Sequence, residues 1–254
     1  MRGRLRGAPV VNVLSLFRLG FIGVHTVAVS PLIVGVALVD QRAAYRLCQL
    51  WARINLAVCG VRVRVHRQAE LDPLRPYVFM SNHKSQFDIL ALVDALPEFQ
   101  LRWVAKKELT RVPVFGWALQ NTGHIIIDRT QHAQAVASLR EARDQLQEGI
   151  SVVIFPEGTR AGADDPLLPF KKGGFMMALE AGFPIVPVVV RGSDSVLPSH
   201  SIWIQPGDIE VVVGAPIPVA GRSRDEVMER VRVFMLRELS VPAAASGPAR
   251  AEAS

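Results

Sequence analysis

The sequence predicts an α/β fold: a mixed, largely parallel sheet flanked by helices, preceded by an N-terminal membrane-associated helical segment. Three observations carry this expectation. Short β-rich runs recur after Gly60: VRVRVH (61–66), YVFMS (77–81), HIII (124–127), SVVIF (151–155), IVPVVV (185–190) and IEVVV (209–213). Helical patterns stand between several of them, at about 87–96, 132–147 and 173–181, and a last one follows near 224–239. Strands that alternate with helices imply crossover connections and strands laid side by side in parallel. Before residue 60 the texture is different, long apolar runs interleaved with arginine.

In chain order, residues 1–9 (MRGRLRGAP) are basic, and Val10 to Val39 is mostly apolar, broken by Asn12, Arg18, His25 and the Ser30-Pro31 step. The piece from Leu19 to Val39 has His25 as its one ionisable group. At about 1.5 Å per residue it can cross or nearly cross a hydrocarbon core of about 30 Å. Pro31 argues against one straight helix, and two helices dipping into one leaflet fit equally well. A cleaved signal peptide fits least, because no small-x-small cleavage site follows the apolar run. In residues 41–59 (QRAAYRLCQLWARINLAVC), Arg42, Arg46, Gln49 and Arg53 form a narrow stripe, with Leu47, Trp51, Ile54 and Val58 opposite. This is a basic amphipathic helix of the kind that rests in a membrane interface or packs on a domain. The alternating run at 61–66 then opens the α/β region, and PAAASGPARAEAS (242–254) has the small, polar, proline-containing composition of a disordered tail. The expected units are therefore an anchoring segment 1–59, an α/β domain 60–241 and a tail 242–254.

Charge separates the same units. Residues 1–67 carry ten arginines against one acid, Asp40, a local excess of +9, whereas the remainder is −3. Arginines set among apolar runs favour an anionic membrane surface over nucleic acid as the partner. The two cysteines, Cys48 and Cys59, lie in helical-looking sequence without a Cys-x-x-Cys or a histidine pair, which argues against a disulfide framework and a zinc site. His66, His124, His132 and His200 have no partner at a telling spacing, and no metal-ligand cluster is visible.

Chemistry is expected at two strand ends. After YVFMS comes Asn82-His83-Lys84-Ser85-Gln86-Phe87-Asp88. Five residues of regular helix would set His83 and Asp88 about 140° apart. Ser85 followed three residues later by an acid reads instead as a capping box, so the helix begins near Gln86 and His83 precedes it on a turn. The imidazole can then fold back on Asp88, which takes one ring nitrogen and leaves the other as a base. No G-x-S-x-G elbow supplies a protein nucleophile. A base without one acts on an acceptor alcohol or on water. The second strand end is SVVIFPEGTR (151–160), where Gly158 permits an unusual turn and Arg160 offers a planar fork suited to phosphate. Ligand sites of open α/β sheets lie at such C-terminal strand ends.

Taken together these blocks resemble the PlsC-like 1-acyl-sn-glycerol-3-phosphate (lysophosphatidic acid) acyltransferases, from about residue 60 to 220. Asn82-His83 with Asp88 matches the first motif; Lys106-Lys107-Glu108-Leu109 with Pro113 and Gly116 the second, trailed by Gly123 and Asp128-Arg129; Phe155 to Arg160 the third; Pro184 to Pro187 the fourth. The resemblance implies the glycerolipid acyltransferase fold and His83, oriented by Asp88, as general base on the sn-2 hydroxyl of lysophosphatidate. The acyl donor would be acyl-CoA or acyl-carrier protein, the product phosphatidate for phospholipid synthesis, and no cofactor or metal is needed. It implies substrate binding by Lys106, Glu157, Gly158, Thr159 and Arg160, with phosphate on Arg160 and Lys106, Lys107 a weaker candidate, Glu157 positioning the glycerol backbone and Pro187 shaping the floor. The implied location is the cytoplasmic face of a membrane, the inner membrane in a bacterium. An acyltransferase with another acceptor, a thioesterase or lipase using water, and a scaffold without chemistry are the rival readings.

Overall fold

A computed structural model of the chain describes residues 13–128, 132–162 and 165–240, without side-chain detail at 132–137 and 139; the expected tail lies outside this range. The elements in order are α1 (Val13–Ala37), α2 (Gln41–Cys59), β1 (Val61–Arg67), β2 (Val78–Ser81), α3 (Phe87–Ala95), β3 (Leu101–Lys106), a 3-10 turn (Lys107–Arg111), α4 (Phe115–Asn121), β4 (Ile125–Ile127), α5 (His132–Gln147), β5 (Ser151–Ile154), α6 (Gly173–Ala181), β6 (Ile185–Arg191), α7 (Ser193–Val196), β7 (Gly207–Val213) and α8 (Arg224–Ser240). The sheet has seven strands among the described residues, in the order β1-β7-β6-β2-β5-β3-β4. Strands β6, β2, β5, β3 and β4 run parallel; β7 turns antiparallel to β6, and β1 pairs parallel to β7. The expected mixed, largely parallel sheet is present.

Alternation along each strand builds two cores. Phe79, Val153, Val186, Val188, Val190 and Trp103 face one side with α2 and α3, whereas Val78, Met80, Val152, Ile154, Ile185 and Val189 face the other with α5, α6 and α8. Strands covered on both faces read as nearly continuous apolar runs, which is why SVVIF and IVPVVV were legible. β3 was not foreseen. Its run LRWVAK is interrupted by Arg102, which is itself buried at 2% exposure, so its charge hid a core strand.

The N-terminal segment differs from expectation in two ways. α1 is a single helix that continues through Pro31, with packing against α2 and α4 over its length in place of the break that a missing N–H invites. It is also apolar on its outer side, and its inner side carries polar groups in the first half before Ile33, Val34 and Ala37 pack inward. Arg18 donates to the Ile204 carbonyl at 3.1 Å, the Ile204 N–H donates to Ser15 Oγ at 2.6 Å, Trp51 Nε1 donates to Thr26 Oγ1, and the His25 ring lies 3.3 Å from Asn55 Oδ1. Outward, Phe17, Val24 (72% exposed) and Val27 stand free. α2 starts on Asp40, whose carboxylate caps the Arg42 and Ala43 N–H groups, and ends on left-handed Gly60. Its Tyr45, Ala52, Leu56 and Cys59 belong to the α3-side core. A boundary at residue 59 would cut through that core, and the basic stripe is partly tied down, Arg53 to Asp94 and Gln49 to the Pro97 carbonyl.

Gly116 fixes how the second motif is folded. A Cβ there would lie 2.2 Å from the Thr110 carbonyl oxygen, an overlap only backbone movement could relieve. Gly116→Ala is therefore expected to destabilise the chain by about 1–3 kcal/mol, read as a lowered thermal midpoint; an unchanged midpoint would show that the 3-10 turn and α4 are not packed as described.

Candidate active site

β2, β5 and β3 are adjacent and parallel, so the segments after their C-terminal ends emerge at one edge of the sheet. The turn after β2 begins with a side chain that imitates backbone. Asn82 Nδ2 donates to the Val190 carbonyl at 2.9 Å, and the Val190 N–H donates to Asn82 Oδ1 at 2.8 Å. This continues the ladder one step past the Ser81–Val188 pair while the main chain leaves the sheet. His83 comes next, on a turn closed by Asp88.

One carboxylate oxygen organises that turn. Asp88 Oδ2 accepts hydrogen bonds from Lys84 N–H at 2.7 Å and Ser85 N–H at 2.8 Å, and lies 2.8 Å from His83 Nδ1. The side chain is 0% exposed, against 15% for His83. The capping-box expectation is met with a shift. The acid reaches back to Ser85 N–H, but Ser85 Oγ accepts from Phe87 N–H at 3.2 Å and donates to the Leu197 carbonyl. With Nδ1 directed to a carboxylate, Nε2 is the imidazole nitrogen left for chemistry. The ring stacks on Phe155 at 4.0 Å and 12°, and Phe155 lies against Trp103. This aromatic support was missed from sequence, because Trp103 lies on the strand that Arg102 disguised.

The segment after β5 braces the same histidine through its main chain. Glu157 Oε1 accepts His83 N–H at 2.9 Å and Oε2 accepts Leu168 N–H at 2.7 Å, while Ala161 N–H donates to the His83 carbonyl at 2.8 Å. Glu157 is 2% exposed. Burial raises its pKa above the ordinary carboxyl value, against the opposing pull of the Leu168 and His83 N–H donors. Its two oxygens are thus engaged by main-chain N–H groups of the loop and of His83. Gly158 has φ +75°, and its N–H closes a turn onto the Phe155 carbonyl. Thr159 is exposed and Arg160 half-buried, with no ion pair to Arg160 among the described residues. Lys106 ends β3, exposed, whereas Lys107 is paired with Asp128 at 3.0 Å. Pro187 lies inside the sheet opposite Met80. Lys171 donates its N–H to the Pro156 carbonyl, and its side chain and that of Lys172 are exposed. Among the described residues no group of His, Cys, Asp and Glu is arranged to hold a metal ion.

The arrangement is a carboxylate-oriented imidazole on the turn after β2, with a guanidinium on the turn after β5 that has no ion pair among the described residues, suited to removing a proton from a group held near an anion. Its setting can be compared with known proteins. The chain is 35% identical over 195 residues to 1-acyl-sn-glycerol-3-phosphate acyltransferase alpha of Homo sapiens, covering 74% of this chain and 68% of that protein. It is 34% identical over 194 residues to the 1-acyl-sn-glycerol-3-phosphate acyltransferase of Pseudomonas aeruginosa, covering 74% of each. A Chlamydomonas reinhardtii protein of the same description is 30% identical over 210 residues, and the match spans 62% of its length. The fold matches the crystal structure of the 1-acyl-sn-glycerophosphate acyltransferase from Thermotoga maritima with a TM-score of 0.74, at 23% identity, over 91% of this chain and 97% of that one. A family model described as Acyltransferase matches residues 62–191. That stretch runs from β1 to the end of β6 and contains His83, Asp88 and the whole 155–160 turn, so the chain belongs to the acyltransferase family.

Proposed function

We propose that this protein transfers a fatty acyl group from a thioester donor, acyl-CoA or acyl-carrier protein, to the sn-2 hydroxyl of 1-acyl-sn-glycerol 3-phosphate, giving phosphatidate. The observation that carries the reading is the 2.8 Å contact between His83 Nδ1 and buried Asp88, together with relatives described as acyltransferases for this acceptor. His83 Nε2 takes the proton of the acceptor hydroxyl as its oxygen attacks the thioester carbonyl. The tetrahedral intermediate collapses, the C–S bond breaks, and the imidazolium returns the proton to the departing thiolate. Asp88 holds the ring in place and stabilises the transient imidazolium. Arg160 and Lys106 receive the acceptor phosphate, for which the planar guanidinium fork is suited. Gly158 and Thr159 shape the turn that presents Arg160. Glu157 serves substrate through the loop it holds, because its oxygens are already occupied by N–H groups.

α1 supplies the membrane attachment in this reading. At 25 residues it is long and apolar enough to cross a membrane, and its exposed side is the apolar one. Residues of the acceptor's class are lipids, so a site held at a bilayer surface meets its substrate directly. The catalytic region then runs from α2 to α8, with the positive charge of residues 1–67 toward an anionic leaflet, on the cytoplasmic side where acyl thioesters are held.

Three outcomes follow. His83→Ala lowers kcat by about 10²–10⁴-fold with the fold unchanged by circular dichroism, and Asp88→Asn, which keeps an acceptor oxygen but loses the charge, costs about 10²-fold or more; full turnover in His83→Ala would remove the base assignment. In assays with labelled acyl-CoA over a panel of acceptors, Arg160→Ala raises KM for lysophosphatidate more than it lowers kcat, and acceptors lacking phosphate are indifferent to the change. A preference of the wild type for phosphate-free acceptors, or fatty acid release without any acceptor, would point to the rival enzymes. Val24→Glu combined with Val27→Glu reduces sedimentation with anionic vesicles while circular dichroism is retained; unchanged sedimentation would place the attachment elsewhere.

A further inference from the structure

β3 carries a second cationic group that the acyl-transfer site does not use. Arg102 is 2% exposed, yet it makes no ion pair among the described residues. Nη1 donates to the Leu101 carbonyl and Nη2 to Gln41 Oε1, both at 3.1 Å, and Nε is buried without a protein acceptor. The Tyr45 ring lies under the guanidinium, 5.9 Å from its carbon, and the Tyr45 hydroxyl is buried beside the Leu101 main chain and Gln49, which donate toward its oxygen and leave its O–H uncommitted. These groups border a cavity of about 10 Å³ that Gln41, Cys48, Thr122 and His124 complete.

Every other group on this wall is neutral. His124 Nδ1 accepts the Trp103 N–H at 3.2 Å, which places the ring proton on Nε2. Burial, reinforced by the Arg102 charge, holds the His124 pKa at about 3. Burial likewise raises the Tyr45 phenol and pushes the Cys48 thiol up to about 11, so neither offers an anion. Thr122 Oγ1 donates to the Ala118 carbonyl. Gly123, in a left-handed conformation at φ +74°, leaves the room: a Cβ there would stand 3.0 Å from Arg102 Nε. The result is a buried positive charge with spare donors around it and no carboxylate among the described residues that line the cavity. An uncompensated buried ion is destabilising, and a polar cavity of this size holds a single small occupant.

We propose that this cavity is a binding site for one monatomic anion of the halide class, with chloride the abundant candidate, held by Arg102, the Tyr45 hydroxyl and the His124 ring N–H. The anion neutralises Arg102 and ties three elements together: α2 through Gln41 and Tyr45, β3 through Arg102, and the α4–β4 turn through Thr122 and His124. Gln41, which lines the cavity and holds Arg102 Nη2, is itself exposed. Because α2 holds α1, the site couples chloride to the seating of the N-terminal helices on the catalytic sheet. The proposal does not depend on which acyl acceptor the enzyme uses.

The test is the thermal midpoint of the full chain in neutral detergent at fixed ionic strength, as sodium gluconate is replaced by sodium chloride or bromide. The expected result is a saturable rise of about 2–4 °C with either halide, absent from Arg102→Met, together with an anomalous bromide peak beside the guanidinium in crystals of the wild type. If Arg102→Met does not fold, the bromide peak decides alone. Equal midpoints in gluconate and halide with no bromide peak, meaning a water occupant, would overturn the proposal. So would a halide effect of equal size in a folded Arg102→Met, which marks general salt action.

Discussion

Three donors converge on a single oxygen of Asp88: two successive backbone N–H groups, from Lys84 and Ser85, and the imidazole of His83. The two N–H groups fix the turn, and the turn fixes the histidine. A carboxylate buried at 0% exposure is destabilising unless such donors meet it, so the start of α3 and the orientation of the imidazole are one arrangement. Nothing on α3 alone would hold it. The Ser85 hydroxyl reaches Leu197 beyond α7, and the His83 main chain is gripped from both sides by the loop that follows β5.

The sheet order makes that grip possible. β2 lies between β6 and β5, so the residues that leave its C-terminal end have a partner on each side. Asn82 takes the β6 side with its amide, and Glu157 takes the β5 side with its carboxylate. Each spends a polar side chain on backbone groups that the sheet no longer pairs, which keeps buried donors and acceptors satisfied where the chain departs from regular structure. Glu157 is thus a positioning residue for His83, and its buried carboxylate belongs to the loop it braces. The stack of His83 on Phe155, itself backed by Trp103, closes one face of the ring with apolar side chains.

The N-terminal helices show how a charge or a polar residue can mislead when its partner is far away in sequence. Arg18 and Ser15 look like interruptions of a membrane segment, but they hydrogen-bond the main chain at Ile204. Arg102 looks like a reason to reject a strand, but its guanidinium is bedded between Tyr45 and Gln41 of α2. In both cases the polar group points inward, while apolar residues of α1 such as Phe17, Val24 and Val27 are exposed. Read by composition, the segment is a separate anchor. Read by packing, α2 is a layer of the catalytic sandwich and α1 is its outer cover.

The sequence by itself determined the class of fold, most strand and helix positions, and the pairing of His83 with Asp88. These rest on local rules: apolar periodicity sets which face is buried, and a serine with an acid three residues on sets where a helix starts. The family motifs likewise marked Glu157 and Arg160. Only the tertiary structure decided that Glu157 holds backbone, that Lys107 is spoken for by Asp128 while Arg160 has no ion pair among the described residues, that Pro31 lies within one continuous helix, and that a core strand carries a buried arginine. Each of these depends on a partner many positions away in the chain. Local spacing says what a residue can do; which neighbour it meets is set by the order in which the sheet brings distant strands together.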